Sequence, residues 1–176
     1  MTDQISVKKK ISFIVLIILF AGFLIPQNFS NPVEGATSRD YNQKSFWFYP
    51  WGKSGTHKGV DIFAKEGTRV KSSTAGIVLY TGEIKMGGNV VVILGPKWRI
   101  HYYAHLKSID TSSFTWASQD ENIGTVGTTG NAVGKSPHLH YSIVTLIPYV
   151  WQIDGGHQGW KKMFYINPIP YLSESK

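Results

Sequence analysis

Hydrophobic positions along this chain follow two unlike patterns. From Ile11 to Ile25 runs an uncharged stretch whose only hydroxyl is Ser12, otherwise built of Ile, Leu, Val, Phe, Ala and Gly. Beyond residue 46 the apolar residues come in short β-branched and aromatic runs, broken by Gly, Asn, Asp and Pro. The runs Thr68–Lys71, Gly76–Thr81, Asn89–Leu94, Ile100–His105, Gly124–Val126 and His138–Val144 predict strands, and their punctuation predicts an all-β domain. Outside the N-terminus no stretch sustains a 3.6-residue apolar period long enough for a substantial helix, and no internal repeat is visible. The segment 147–171, rich in Trp, Tyr, Phe and Pro, either packs on the sheet or rims a groove.

Lys8, Lys9 and Lys10 precede the apolar stretch. A helix that is apolar on every side has no polar face to offer water, so a membrane-engaging segment is expected rather than a core helix. Continued to Phe29, it approaches the roughly 17–20 residues needed to cross a bilayer. The lysines would then stay cytoplasmic, and everything after residue 30 would lie outside the cytoplasm. Pro26, Gln27, Asn28 and Phe29 offer no small-x-small cleavage site, which favours a retained anchor over residues 1–30; secretion is the alternative if the segment is removed. Residues 31–45 are polar and contain Pro32, Gly35 and Ser38, the signature of a linker or an irregular lead-in to one domain over residues 46–176.

A length of 176 residues with 42% hydrophobic content supports one well-buried core and little more. The net charge of +7 includes +2 from residues 1–30, where three lysines oppose Asp3, leaving +5 on the remainder. That balance favours anionic surroundings, and nucleic acid, anionic lipid and wall polymer satisfy it equally. No nucleic-acid motif accompanies the charge, so nucleic acid is not expected as a partner. The absence of cysteine has sharper consequences: disulfides, thiolate zinc sites, cysteine nucleophiles and a lipidated N-terminal cysteine are all excluded. Any metal must be held by His, Asp or Glu.

Six histidines are present, and three contexts carry chemistry: His57-Lys58-Gly59-Val60-Asp61, His101-Tyr102-Tyr103-Ala104-His105 and His138-Leu139-His140. In a strand, residues two apart share a face, so His138 and His140 project together while Leu139 turns away. Several imidazoles on one face cost desolvation energy that coordination by neutral nitrogens offsets. Asp61 adds an oxygen donor four residues after His57. Gly59 and β-branched Val60 disfavour a helix there, placing the pair on a turn or strand end. His101 would share a face with His105 in a regular strand. His157 follows Asp154-Gly155-Gly156, where turn chemistry accounts for it. Gly134-Lys135-Ser136 imitates the end of a phosphate-binding loop, but the glycine required five positions earlier is Thr129, so that reading fails.

Three blocks in order resemble the lysostaphin-type (M23) zinc metallopeptidases. His57-Lys58-Gly59-Val60-Asp61-Ile62 is similar to the family's HxxxD block, Tyr103-Ala104-His105-Leu106 to its YxHL block, and Gly127-Thr128-Thr129-Gly130 through Pro137-His138-Leu139-His140-Tyr141 to its closing HLH block. The likeness covers roughly residues 46–145. It implies a compact antiparallel β-sheet or sandwich domain of the duplicated hybrid motif kind. It further implies one zinc ion per chain held by His57, Asp61 and His140, with His105 and His138 off the metal as catalytic residues. The implied activity is endopeptidase cleavage of cross-links or stem peptides in bacterial peptidoglycan, at the cell envelope. The implied alternative is a catalytically weak or inactive wall-binding regulator that activates other cell-wall hydrolases, and retention of all five residues distinguishes the two. Where many relatives carry a Gly-Tyr-Arg-like stretch before the first block, this chain has Phe46-Trp47-Phe48-Tyr49-Pro50-Trp51, which leaves substrate preference open.

Overall fold

The structure, a computed structural model, describes residues 2–173, with side chains over 7–172. An N-terminal helix α1 (Thr2–Leu24) is followed by an irregular segment and then nine strands: β1 (Val60–Phe63), β2 (Arg69–Lys71), β3 (Gly76–Ile84), β4 (Gly88–Gly95), β5 (Arg99–Ile109), β6 (Trp116–Ala117), β7 (Asn122–Val126), β8 (His138–Thr145) and β9 (Tyr165–Ile166). A five-residue helix α2 (Ile169–Ser173) closes the described chain. All strand pairs are antiparallel within one sheet, whose main path runs β1-β8-β5-β4-β3-β6.

The sheet forks at β5. One edge of this strand pairs with β4, while its other edge pairs with β8 over Arg99–Ala104 and with β7 over Leu106–Ile109. His105 stands at the handover, with a left-handed φ of 67° and its N–H donated to the Gly87 carbonyl. Such a backbone switch breaks the two-residue alternation of side chains.

The sheet buries Val60, Ile62, Val78, Val91, Ile93, Tyr103, Leu139, Tyr141 and Ile143 in one continuous core. Val33 and Tyr41 join this core, as do Ile169 and Leu172 of α2. Residues 31–45 therefore pack on the domain, as an irregular lead-in would, and do not form a free linker. Val33 bridges to Val70, the Lys71 N–H donates to the Pro32 carbonyl, and the Phe63 N–H donates to the Asp40 carbonyl. Two apolar residues spaced irregularly among polar ones leave no periodic signal to read.

The expected transmembrane helix is not found. Among the described residues no helix is long and apolar enough to cross a membrane. The helix ends at Leu24, two residues before Pro26, whose ring cannot continue it. From Ile11 to Leu24 the helical apolar part spans about 21 Å at the usual rise, short of the roughly 30 Å hydrocarbon thickness. Its last turns lie against the domain, where the Trp98 indole donates to the Leu19 carbonyl at 2.8 Å.

Candidate metal centre and active-site cleft

β1 and β8 bring the first two site residues together. Asp61 sits opposite His140 in the ladder, and the Asp61 Oδ1 lies 2.7 Å from His140 Nδ1. His57 lies three residues before β1, and its Nε2 is 3.1 Å from the same oxygen and 3.2 Å from His140 Nδ1. The turn between them depends on Gly59. A Cβ at that position would sit 2.4 Å from the Tyr141 carbonyl oxygen and 3.0 Å from the His140 ring, so only glycine lets the backbone lie flat against β8.

Each ligand candidate is oriented from behind. His57 is almost fully buried, its Nδ1 is 3.0 Å from the Ser45 carbonyl, and the Trp51 indole stacks on its ring at 4.2 Å. A carbonyl can only accept, so the His57 proton sits on Nδ1 and Nε2 presents a lone pair. His140 Nε2 pairs with the Ser142 hydroxyl at 2.9 Å. Burial pushes the Asp61 carboxyl up, but hydrogen bonds and charge from His140 and His57 outweigh it and hold the group well below the usual carboxylate range.

Two nitrogens and one oxygen thus converge, all within 4.8 Å of one another. Three facing acceptors repel unless a cation or proton lies between them. A tetrahedral zinc with bonds of about 2.0–2.1 Å spaces its donors roughly 3.3 Å apart. The 2.7–3.2 Å separations here need only slight opening to accept it. This donor set fits a hydrolytic zinc site, which has three protein donors and one open position.

His105 and His138 stand beside the cluster. Their rings are 5.1 Å apart, and His105 lies 6.0 Å from His140. His105 Nδ1 contacts the Thr129 carbonyl at 2.9 Å, and His138 Nδ1 the Ser136 carbonyl at 2.7 Å. Both carbonyls fix the proton on Nδ1, leaving each Nε2 as an acceptor. Burial, together with the charges of His140 and His138, pushes His105 down to about 4. Burial raises the neighbouring Tyr102 phenol to about 12, so it remains a hydrogen-bond donor in the cleft.

The surrounding cleft measures about 530 Å³. Its walls include Trp51, Lys53 and Lys58 near His57, and Asn131, Lys135 and Ser136 near His138. Burial and the nearby Lys161 push the Lys58 ammonium down. The loop carrying Trp51 is braced from the C-terminal segment. Gln158 accepts from the Thr56 hydroxyl and donates to the Ser54 carbonyl, while Trp47 donates to the His157 carbonyl. Phe46 packs against the core, so the aromatic stretch 46–51 supplies both core and cleft wall.

His101 points to the opposite face, separated from His105 by the backbone switch. It is fully buried, 2.6 Å from the Tyr141 hydroxyl and 2.9 Å from the Gln27 amide nitrogen. His157 stacks on Tyr49 at 4.0 Å and takes no part in the cluster. Sequence reasoning missed the supporting roles of Ser45, Trp51, Thr129 and Ser142. Trp51 left a trace as part of an aromatic run and Thr129 as part of the closing block, but neither showed what it supports.

Residues 55–151 match the sequence profile of peptidase family M23. The chain belongs to this family. Among M23 relatives, the L-Ala–D-Glu endopeptidase of Bacillus subtilis (strain 168) is 34% identical over 144 residues, covering 76% of this chain and 40% of that protein. The peptidoglycan DD-endopeptidase ShyA of Vibrio cholerae is 35% identical over 88 residues, covering 50% of this chain and 20% of that protein. The chain thus spans less than half the length of either relative. The catalytic domain of lysostaphin from Staphylococcus simulans superposes with a TM-score of 0.59 at 24% identity, over 77% of this chain and 95% of that domain. A crystal structure of a zinc-containing peptidase from Vibrio cholerae gives 0.54 at 25% identity, over 66% of this chain and 36% of that one.

Proposed function

We propose that this M23 chain is a zinc-dependent endopeptidase acting on the peptide part of bacterial peptidoglycan, outside the cytoplasm. The observation that carries the reading is the convergence of His57, Asp61 and His140 beside two histidines whose Nε2 atoms are free to exchange a proton. The names of the Bacillus and Vibrio relatives supply the wall substrate.

Zinc held by His57, Asp61 and His140 would supply Lewis-acid polarisation of a peptide carbonyl and would lower the pKa of a bound water. The protein side of the chemistry belongs to His105 and His138. His105 enters neutral, with Nδ1 anchored on Thr129, and accepts the water proton at Nε2. An imidazole of lowered pKa returns that proton readily to a leaving amine. His138, anchored on Ser136 through Nδ1, leaves Nε2 as a second acceptor able to relay that same proton to the amine. The cleft walls hold an extended peptide in line with these groups.

Envelope retention through the N-terminal segment accords with the three lysines inside α1, ahead of its apolar part, and with the exposed apolar side chains that follow, from Ile11 and Phe13 to Phe20 and Leu24. Zymography on purified wall tests the catalytic reading. His140→Ala should abolish clearing, and His105→Ala should reduce it by roughly 10²–10⁴-fold. Clearing that survives both substitutions contradicts the site. Wall binding without clearing by the wild type would instead favour a regulator of other hydrolases.

A further inference from the structure

The lining of the cleft is unusual in its charge. Lys53, Lys58 and Lys135 face it, against a single acid, Asp61, already committed to His57 and His140. Four basic side chains elsewhere have acidic partners: Lys71 with Asp120, Lys107 with Glu66, Arg69 with Glu34 and Lys162 with Asp154. Among the described residues the three cleft lysines have no such pair. Lys58 is half-buried and held, donating to the Ser54 carbonyl at 2.9 Å and the Thr56 carbonyl at 3.4 Å. An ammonium has three protons, so one donor remains for a ligand. Lys135 lies on the other wall, next to Ser136 and His138, and is exposed.

Resting on the endopeptidase reading, we infer that the cleft selects peptides bearing a free carboxylate close to the scissile bond, with Lys58 and Lys135 as its recognition groups. The physical reason is the desolvation of the cleft lysines. A bound peptide displaces water from these ammoniums, and a carboxylate returns a counter-charge and a charge-assisted hydrogen bond. An uncharged glycyl chain returns neither. Carboxylate-bearing stem peptides are therefore preferred over glycyl bridges. Specificity of this kind arises as much from the penalty on the wrong ligand as from attraction to the right one. Lys58, fixed by two carbonyls, discriminates with little loss of side-chain freedom, whereas Lys135 acts as a mobile charge.

The test uses the zinc-loaded full chain and muropeptides in two forms, native and with carboxylates converted to carboxamides by carbodiimide, beside an N-acetylated, C-amidated pentaglycine. The native form should be cleaved with kcat/KM about tenfold above the amidated form, mainly through KM, and pentaglycine least of all. Raising the salt concentration should narrow that gap. Lys135→Gln and Lys58→Gln should each move the native-to-amidated ratio toward one, while Lys65→Gln, outside the cleft, should leave it in place. Because Lys58 also braces the loop, its variant is compared by melting temperature, and Lys135→Gln decides if that variant is unstable. Equal cleavage of both forms by the wild type, or a ratio that survives Lys135→Gln, overturns this inference while leaving the endopeptidase intact. Absence of cleavage in every substrate overturns the endopeptidase reading itself.

Discussion

A non-glycine residue held in the left-handed region carries a conformational cost of about 1–2 kcal/mol. At His105 that cost places Ala104 and His105 side by side in the cleft and turns His101 into the core. No residue pattern announces such a switch, so the spacing of His101 and His105 read as a shared face when the two are separated. His138 and His140 behave as a regular strand requires, and their common face was legible from spacing alone. Gly59 illustrates a residue with a visible identity and a hidden purpose. Ala at this position would press on the Tyr141 carbonyl and the His140 ring. Gly59→Ala should lower zinc affinity by roughly 10–100-fold, as other disturbances behind a metal ligand do, measured by competition with a chromogenic chelator. His101 makes a separate prediction. Burial, then the charge of Arg99, depress it to about 3, against an ordinary value of 6.5. The charged and titratable groups around it are Arg99 and Tyr141, with neutral Gln27 completing the contacts. Below pH 6.5 the unfolded chain takes up a proton that the folded chain refuses, so stability is full above that value and falls toward pH 3. The loss approaches about 1.4 kcal/mol per pH unit within the window. Urea titrations of His101→Gln should show a flatter profile between pH 6 and 4, and an unchanged slope would refute the assignment.

At the level of elements, six of the nine strands could be read from β-branched and aromatic runs bounded by turn residues, including the three-residue β2. β1, β6 and β9 could not. β1 has four residues with Asp61 inside it, and β6 and β9 have two each, too few for any pattern. Residues 31–45 misled for a related reason: their polar composition conceals Val33 at 1% exposure and Tyr41 at 5%. If that segment is structural, Val33→Ala should destabilise the domain by about 1–3 kcal/mol through a buried cavity. Glu34→Ala, next to it in an exposed ion pair with Arg69, should cost at most about 1 kcal/mol. Equal and negligible shifts in urea midpoint for both variants would restore the linker reading. The same segment carries Ser45, whose carbonyl fixes the tautomer of His57, so its order bears on the site as well as on the core.

Across the whole molecule the division of labour is simple. A β scaffold sets His57, Asp61 and His140 at three neighbouring points, and a fork in the sheet delivers His105 beside them. The three sequence blocks name those residues as candidates; their orienting contacts, from Ser45 and Thr129 at a distance and from Ser136 and Ser142 close by, depend on backbone geometry that no pattern shows. The apolar N-terminal run was correctly seen as unlike the rest, yet the apolar part of its helix, ending at Leu24, is short of a membrane-crossing length. The proposed catalysis depends on a metal at the three-residue cluster. The most direct measurement is zinc content per chain by elemental analysis of wild type and His140→Ala, purified side by side after zinc loading and desalting. The account predicts close to one zinc in the wild type and a large loss in the variant. Absence of stoichiometric zinc in the wild type, or its full retention by His140→Ala, would contradict it.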